Sequence, residues 1–276
     1  MSAAEHGFPV PNGNDNDEYL KLAANTFNDM VLRWNTTQCA GGLKWQIFPS
    51  NAGYDYKSSI ANAGFFQLSA RLARHTGNTT YSDWASKAWD WMSAIGLIDT
   101  NSFAVYDGTD DTINCTAVDH AQWSYSASAL LYGSATLANI SSNDTPWADR
   151  TQSLLTHLNS TFFTPYSNSS GIMYEQNCET TDTCNTDQFS FKAYMSRWMM
   201  ATTKVQQQLN DGITSLITAS AQAAAKSCTG GNDNNTCGTK WYTGSWDGSQ
   251  GLGQQLSALE VIQGLLAPTV GAPAKG

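Results

Sequence analysis

The stretch that decides how this chain is read runs from Cys39 to Gly77: CAGGLKWQIFPSNAGYDYKSSIANAGFFQLSARLARHTG. Its first half, from Gly41 to Lys57, is dense in aromatics, glycines and amides and reads as a loop. Its second half sets small residues on one side of a helix and large apolar residues on the other. Ser58 or Ser59 can cap the start of that helix, and Gly77 suits a left-handed stop after Arg74 and His75. A helix entered through an aromatic, polar loop presents its N-terminus to something. In a ring of helices, that something is a ligand in the central cleft.

Helical spacing recurs on both sides of this unit. Met1–Glu5 reads as the end of a helix. Asp17–Asn35 repeats Leu20, Leu22, Ala23, Phe27, Met30, Val31 and Trp34 at helical intervals. Further helices are expected over Thr79–Ile95, His120–Ile140, Asp144–Phe163, Asn185–Gln208, Asp211–Cys228 and Leu252–Ala267, the last ended by Pro268. Phe103–Val118 reads as a long loop, and residues 164–184 as a loop or short hairpin. The turns HTGNTTYSDW and ANISSNDTPWADR echo each other, each joining a helix rich in small residues to an amphipathic one. Alternating inner and outer helices of this kind describe an α/α toroid, here about eight full helices and the tail of another.

Composition narrows the ligand. The net charge is −9 over 276 residues, with no basic run to neutralise phosphates, so no nucleic-acid partner is expected. Only 13% of residues are charged, a surface suited to a neutral, hydroxyl-rich ligand. Eight sequons, at Asn35, Asn78, Asn114, Asn139, Asn143, Asn159, Asn168 and Asn234, argue for the secretory pathway. The even cysteine count agrees. Six cysteines allow many pairings. Cys178 with Cys184, and Cys228 with Cys237, each bracket a short polar loop, which leaves Cys39 with Cys115. Zinc is the competing reading, weakened by the lack of a close Cys-x-x-Cys pair. Met1–Glu5 has no export signal, no run is apolar enough to span a membrane, and the spacer-like APTVGAPAKG is followed by no hydrophobic tail. A secreted composition without an export signal leads to the expectation that the chain is incomplete.

Several motifs in order carry a resemblance: GGLKWQI, then YDYKSSIANAGFFQLSARLARHTG, YSDWASKAWDWM, Tyr106-Asp107-Gly108, Gln122-Trp123-Ser124-Tyr125, FKAYMSRWM from Phe191 to Met199, and YTGSWDG from Tyr242 to Gly248. Together they resemble the fungal branch of glycoside hydrolase family 76, from Met1 to about Leu266. That family comprises endo-α-1,6-mannanases and GPI-anchored cell-wall proteins thought to act as transglycosidases. The resemblance implies an all-α (α/α)6 barrel, incomplete at its N-terminus by about four of twelve helices. Residues 1–267 would form the barrel domain, and 268–276 a polar tail. It implies a retaining mechanism with an adjacent Asp-Asp pair as nucleophile and acid/base. By the resemblance that pair falls upstream of Met1, so no catalytic residue is expected here. No metal or organic cofactor is implied. The implied partners are α-1,6-mannan or a GPI-linked mannose glycan, with cell-wall glucan as a possible acceptor, for a monomer that is secreted or held at the cell surface.

Asp110-Asp111 is read as a decoy, two solvated loop acids. The substrate-binding residues expected are Trp45, Tyr56, Lys57, Asn62, Tyr106, Asp107, Gln122, Tyr125, Lys192, Trp246 and Asp247. The aromatics, with Tyr54, Trp123 and Trp241, would be platforms under sugar C–H faces. Asp107 and Asp247 could accept from hydroxyls or form turns, and Asn62 could serve the backbone instead. Lys57 and Lys192 head helices, a poor place for a cation, which points to a carboxylate or ligand contact. Trp34, Trp84, Trp89, Trp91, Trp147 and Trp198 are read as core, and Arg197 as an interhelical tie. Two other classes compete: a glycan-binding protein without catalysis, and a terpene cyclase, which the failure of Asp110-Asp111 to extend into DDxxD argues against.

Overall fold

A computed structural model describes residues 1–8, 18–141, 146–232 and 234–275. Among them nine α-helices are joined by loops that carry one three-stranded sheet. Helices α1 (Ser2–Glu5), α2 (Glu18–Leu32), α3 (Ser59–Thr76) and α4 (Thr79–Ala94) come first. Then follow α5 (Ser124–Ile140), α6 (Trp147–Phe162), α7 (Phe191–Val205), α8 (Asn210–Ser227) and α9 (Leu252–Gln263). The eight long helices and one short tail match the number read from periodicity. Asp17 and Asp144, the expected starts of two helices, and the sequon at Asn143 lie outside the described residues. No described helix is long and apolar enough to cross a membrane.

Where the boundaries differ, short-range hydrogen bonds explain it. Ser58 Oγ accepts from Ala61 N and fixes the start of α3, and Gly77 ends it at φ 70°. The stretch from His120 does not begin a helix, because Val118–Gln122 is strand β3. It adjoins β2 (Tyr106–Asp110), which pairs antiparallel with β1 (Tyr56–Ser58) in the register Tyr56–Asp110, Lys57–Thr109 and Ser58–Gly108. This sheet is absent from the sequence reading, which takes Phe103–Val118 as irregular. YDGTD has neither clean alternation nor β-branched density, and its partner lies far away in the chain. Helix α7 begins six residues later than the expected Asn185, whose Oδ1 instead accepts from Asp187 N and Gln188 N. Residues 164–184 hold no strand; Glu179–Thr181 is a single 3₁₀ turn.

The contacts divide the chain into two compact units. The first comprises Met1–Ala121, Gly133–Thr151 and Ala272–Gly276. Its core is a run of aromatic pairs in offset and edge arrangements, worth about 0.5–1.5 kcal/mol each beyond burial. Phe27 meets Phe65 at 5.5 Å, Trp34 meets Trp84 at 5.7 Å and Trp91 at 5.8 Å, and Phe66 lies 5.7 Å from both Trp89 and Trp147. Of the tryptophans read as core, Trp34, Trp89 and Trp91 are buried here and Trp84 and Trp147 are half-buried at its edge, whereas Trp198, in the other unit, is half-buried and stacks on the exposed Tyr194. Glu5 is buried against Arg71, whose Nη2 is 2.5 Å from Oε2. The C-terminal segment is tied to this unit, since Arg74 Nη1 donates to Pro273 O and Ala274 O while Ala274 N donates to Glu5 O.

The second unit comprises Gln122–Tyr132 and Gln152–Gly271. Met195, Met199, Ile213, Ile217, Ala224 and Val261 from α7, α8 and α9 form its core. Arg197 and Glu260 form the expected tie between α7 and α9. The disulfides are Cys39–Cys115, Cys178–Cys184 and Cys228–Cys237, the pairing favoured by the loop lengths.

Gly133 of α5 lies against the Phe66 ring, where an added Cβ would fall 2.4 Å from Cε1. Phe66 is fully buried between Trp89 and Trp147, so the ring has no free direction in which to move. Gly133→Ala is therefore expected to destabilise the protein by about 1–3 kcal/mol in urea denaturation. Adding Phe66→Leu should recover part of the loss; a Gly133→Ala variant as stable as the parent contradicts this packing.

Candidate functional site

The groove of the first unit is built from strand register upward. Pairing β1 with β2 sets Tyr56 opposite Asp110, and its ring reaches along β2 so that Tyr56 Oη donates to Asp107 Oδ2 at 2.7 Å. The Tyr56 ring lies over Gly108, where a Cβ would come within 2.5 Å of it, so the close approach requires glycine. The loop before β1 hangs from the same strand, since Trp45 N donates to Tyr56 O at 2.7 Å. Gly53, at φ 81°, lies against the Trp45 indole and leaves it 50% exposed. A groove of about 610 Å³ results, lined among others by Trp45, Asn51, Tyr54, Tyr56, Asp107 and Asp119.

Carboxylates ring this groove, and each accepts a hydrogen bond. Asp107 accepts from Tyr56, Asp119 from Ala121 N, and Asp55 from Lys44 Nζ at 3.2 Å. Thr112 donates to Asp110 through both its hydroxyl and its N–H, which holds that carboxyl below its usual range. Asp110 is solvated as expected, although it ends strand β2 rather than lying in a loop. Asp111 is not: it is 1% exposed and paired with Lys44 Nζ at 2.8 Å. Asp119 escapes the sequence reading because its only signal, a polar residue following a loop disulfide, is commonplace.

The expected site residues divide by burial. Trp45, Tyr56 and Asp107 meet at the groove, while Tyr106 is half-buried with its ring 4.2 Å from that of His120. Lys57 and Asn62 lie beneath, fully buried. The Asn62 amide is spent on Leu43 N, Leu43 O and Ser58 O, and Lys57 Nζ on three main-chain carbonyls, so neither is placed to reach a sugar. Burial pushes the Lys57 ammonium down to about 8, with the Asp111 carboxylate pulling the other way.

The rest belong to the second unit. Gln122 Oε1 pairs with His157 Nε2 at 2.7 Å, and Tyr125 stacks on Phe191 at 3.8 Å. Lys192 is 1% exposed. Its ammonium lies 2.7 Å from Glu179 Oε1, 2.5 Å from Thr239 O and 3.9 Å from the Trp241 ring centroid. Trp241, expected as a platform, is fully buried. Trp246 packs on Gly230 and donates Nε1–H to Ser249 O. Asp247 accepts from Thr239 N, Lys240 N and Ser249 N. Burial pushes its carboxyl up, but these donors outweigh burial and hold it below the usual range. These residues thus knit a loop together. Among the described residues, no three His, Cys, Asp or Glu side chains converge to hold a metal ion.

The model of glycosyl hydrolase family 76 matches residues 1–276. The chain belongs to this family. It is 46% identical over 263 residues to the mannan endo-1,6-alpha-mannosidase DCW1 of Saccharomyces cerevisiae, covering 95% of this chain and 57% of that protein. It thus spans little more than half the length of that relative. It superposes on the crystal structure of Dfg5 from Chaetomium thermophilum, solved in complex with glucosamine, with a TM-score of 0.91 at 40% identity, over 99% of this chain and 67% of that one. An inactive variant of the α-1,6-mannanase GH76A of Salegentibacter, with two aspartates replaced and α-1,6-mannotetrose bound, matches with a TM-score of 0.72 at 14% identity, over 92% of this chain and 70% of that one. That last likeness is one of fold alone. The fold class is the expected one, all-α of the α/α-barrel type shared by these family members, with a small sheet added. Three disulfides fit an oxidising, extracellular compartment.

Two carboxyls are buried in the second unit, and Lys192 is paired with one of them, Glu179. Glu175 is 1% exposed and hydrogen-bonded to Ser124 N and Oγ at the start of α5. Burial pushes it up to about 8; the Ser124 hydroxyl opposes this and Glu179 adds to it. An unfolded glutamate titrates near 4.5, so the folded state holds the extra proton between those values. Glu175 therefore contributes most stability below about pH 4.5 and loses it as pH rises, by up to about 1.4 kcal/mol per pH unit, until about pH 8. Glu175→Gln should flatten that slope in urea denaturation measured across the window; identical slopes for the two proteins contradict the assignment.

Proposed function

We propose that the groove holds α-1,6-linked mannose chains, and that the activity it serves is that of a mannan endo-1,6-α-mannosidase or the corresponding transglycosidase of the fungal cell wall. The observation that carries this reading is the half-exposed Trp45 indole beside carboxylates on neighbouring strands. An aromatic face receives the C–H side of a sugar ring, while fixed acceptors such as Asp107 and Asp119 take its hydroxyls. The 46% identity to a yeast mannosidase of that name supports the choice of mannan over other glycans. We further propose that the protein works as a monomer at the cell surface, held by a GPI anchor. Its donor would be a mannose glycan and its acceptor water or wall glucan.

The groove carboxylates are read as binding groups, because each already accepts a hydrogen bond from within the unit. Acid/base work on a glycosidic bond calls for one protonated and one ionised carboxyl facing each other across the scissile bond. The same observation favours a second reading, a glycan-binding protein without turnover.

Calorimetry with α-1,6-mannotetraose tests the proposal. Binding is expected, and Trp45→Ala should weaken it by about 1–3 kcal/mol, the scale of losing one ring-sized apolar contact. The purified chain is expected to release no shorter oligomers. Absence of binding, or equal affinity of Trp45→Ala, overturns the groove assignment, and release of mannose oligomers overturns the binding-only role.

A further inference from the structure

The loop from Asn35 to Gly42 turns its main-chain carbonyls toward one point. Lys57 Nζ lies 3.2 Å from Asn35 O, 2.8 Å from Gln38 O and 2.5 Å from Gly41 O. The carbonyl between them, Cys39 O, accepts Trp91 Nε1–H at 2.8 Å. Four consecutive residues with positive φ make this convergence possible: Cys39 (58°), Ala40 (54°), Gly41 (154°) and Gly42 (87°). A Cβ on Gly42 would come within 2.2 Å of the Trp91 ring. The Cys39–Cys115 disulfide and a hydrogen bond from Cys39 N to Asn114 Oδ1 hold the loop from outside.

An ammonium has three N–H donors, and here it meets three acceptors. The arrangement is that of a cation site in which carbonyls replace the hydration shell, with the cation tethered to the chain. Lys57 stands one residue from Tyr56, whose hydroxyl bonds Asp107 and whose carbonyl carries Trp45. From Gly42 the loop passes through Leu43, held at N and O by the Asn62 amide, to Trp45 two residues on.

We infer that Lys57 is the positioning residue of the groove: its ammonium is a resident cation in a cage of main-chain carbonyls and thereby fixes where Trp45 and Tyr56 stand. The consequence for glycan binding rests on the function proposed above, whereas the cage itself does not.

Lys57→Ala removes the cation and its stem but leaves the carbonyls aimed at the vacancy. Two readouts are needed: affinity for α-1,6-mannotetraose, and, without glycan, hydrogen-exchange protection of the amides from Cys39 to Trp45. Both are expected to fall, affinity by about tenfold or more, as for a lost buried, charge-assisted interaction. Propylammonium should restore both in a saturable way. Tetramethylammonium, with no N–H to donate, should not. A variant that keeps parental protection and affinity, or one that no primary amine restores, overturns the inference. If Lys57→Ala does not fold, the parent protein decides: in ¹⁵N-lysine spectra one side-chain ammonium should be slow to exchange and coupled to main-chain carbonyl carbons, and its absence overturns the cage. If the parent binds no mannotetraose, the functional reading fails, while the exchange and rescue data still judge the cage.

Discussion

A main-chain carbonyl turned away from water has to find a donor, and the loop from Asn35 to Gly42 turns four of them inward within eight residues. Left unpaired, each would cost about 1–3 kcal/mol, enough in sum to unfold the loop. Among the described residues the donors are two side chains, the Lys57 ammonium and the Trp91 indole N–H. The ammonium in turn is too costly to bury without such partners. The loop needs the cation and the cation needs the loop. The groove's residues are arranged on this mutual requirement: Tyr56 and Ser58 flank Lys57 on β1, and Trp45 hangs from Tyr56.

The second unit solves a similar problem with different acceptors. Lys192 is held by Glu179, by Thr239 O and by the face of Trp241. A lysine at the head of a helix does need a counter-interaction, so the sequence argument about Lys57 and Lys192 was sound as far as it went. Lys192 has the expected carboxylate partner, Glu179, whereas Lys57 is held by main-chain carbonyls instead. Both ammonium groups are satisfied by the protein's own oxygens, and in both cases those oxygens lie on loops distant in sequence. Periodicity and dipole arguments see only the cation's own element.

The same limit separates what was legible from what was not. The helices were legible because apolar spacing is a local property, as were Ser58 and Gly77 as the caps of α3 and the pairing of cysteines across short loops. Trp45 and Asp107 were singled out by their polar, glycine-rich surroundings, which reflect how loops are built. The sheet was not legible, because a three-residue strand acquires its identity from a partner some fifty positions away. Trp241 and Trp246 lie in a loop no less polar than that around Trp45, yet one is fully buried under Lys192 and the other packs on Gly230. Asp111, beside the solvated Asp110, is buried in the turn that follows β2, where its N–H donates to Asp55 O and its carboxylate meets Lys44.

Access and proton affinity are segregated in this molecule, which bears on the chemistry it can do. A general acid for glycoside cleavage must hold a proton near neutral pH and also reach the glycosidic oxygen. Glu175 meets the first condition, but at 1% exposure, with Ser124 covering its oxygens, it meets no substrate. Asp110 lines the groove, but the donors of Thr112 hold its carboxyl below the usual range. Asp107 lies at the groove and accepts the Tyr56 phenol at 2.7 Å. Described residue by described residue, the groove is a surface of fixed acceptors beside an aromatic platform. In the function proposed above, it is this surface that grips a neutral, hydroxyl-rich chain.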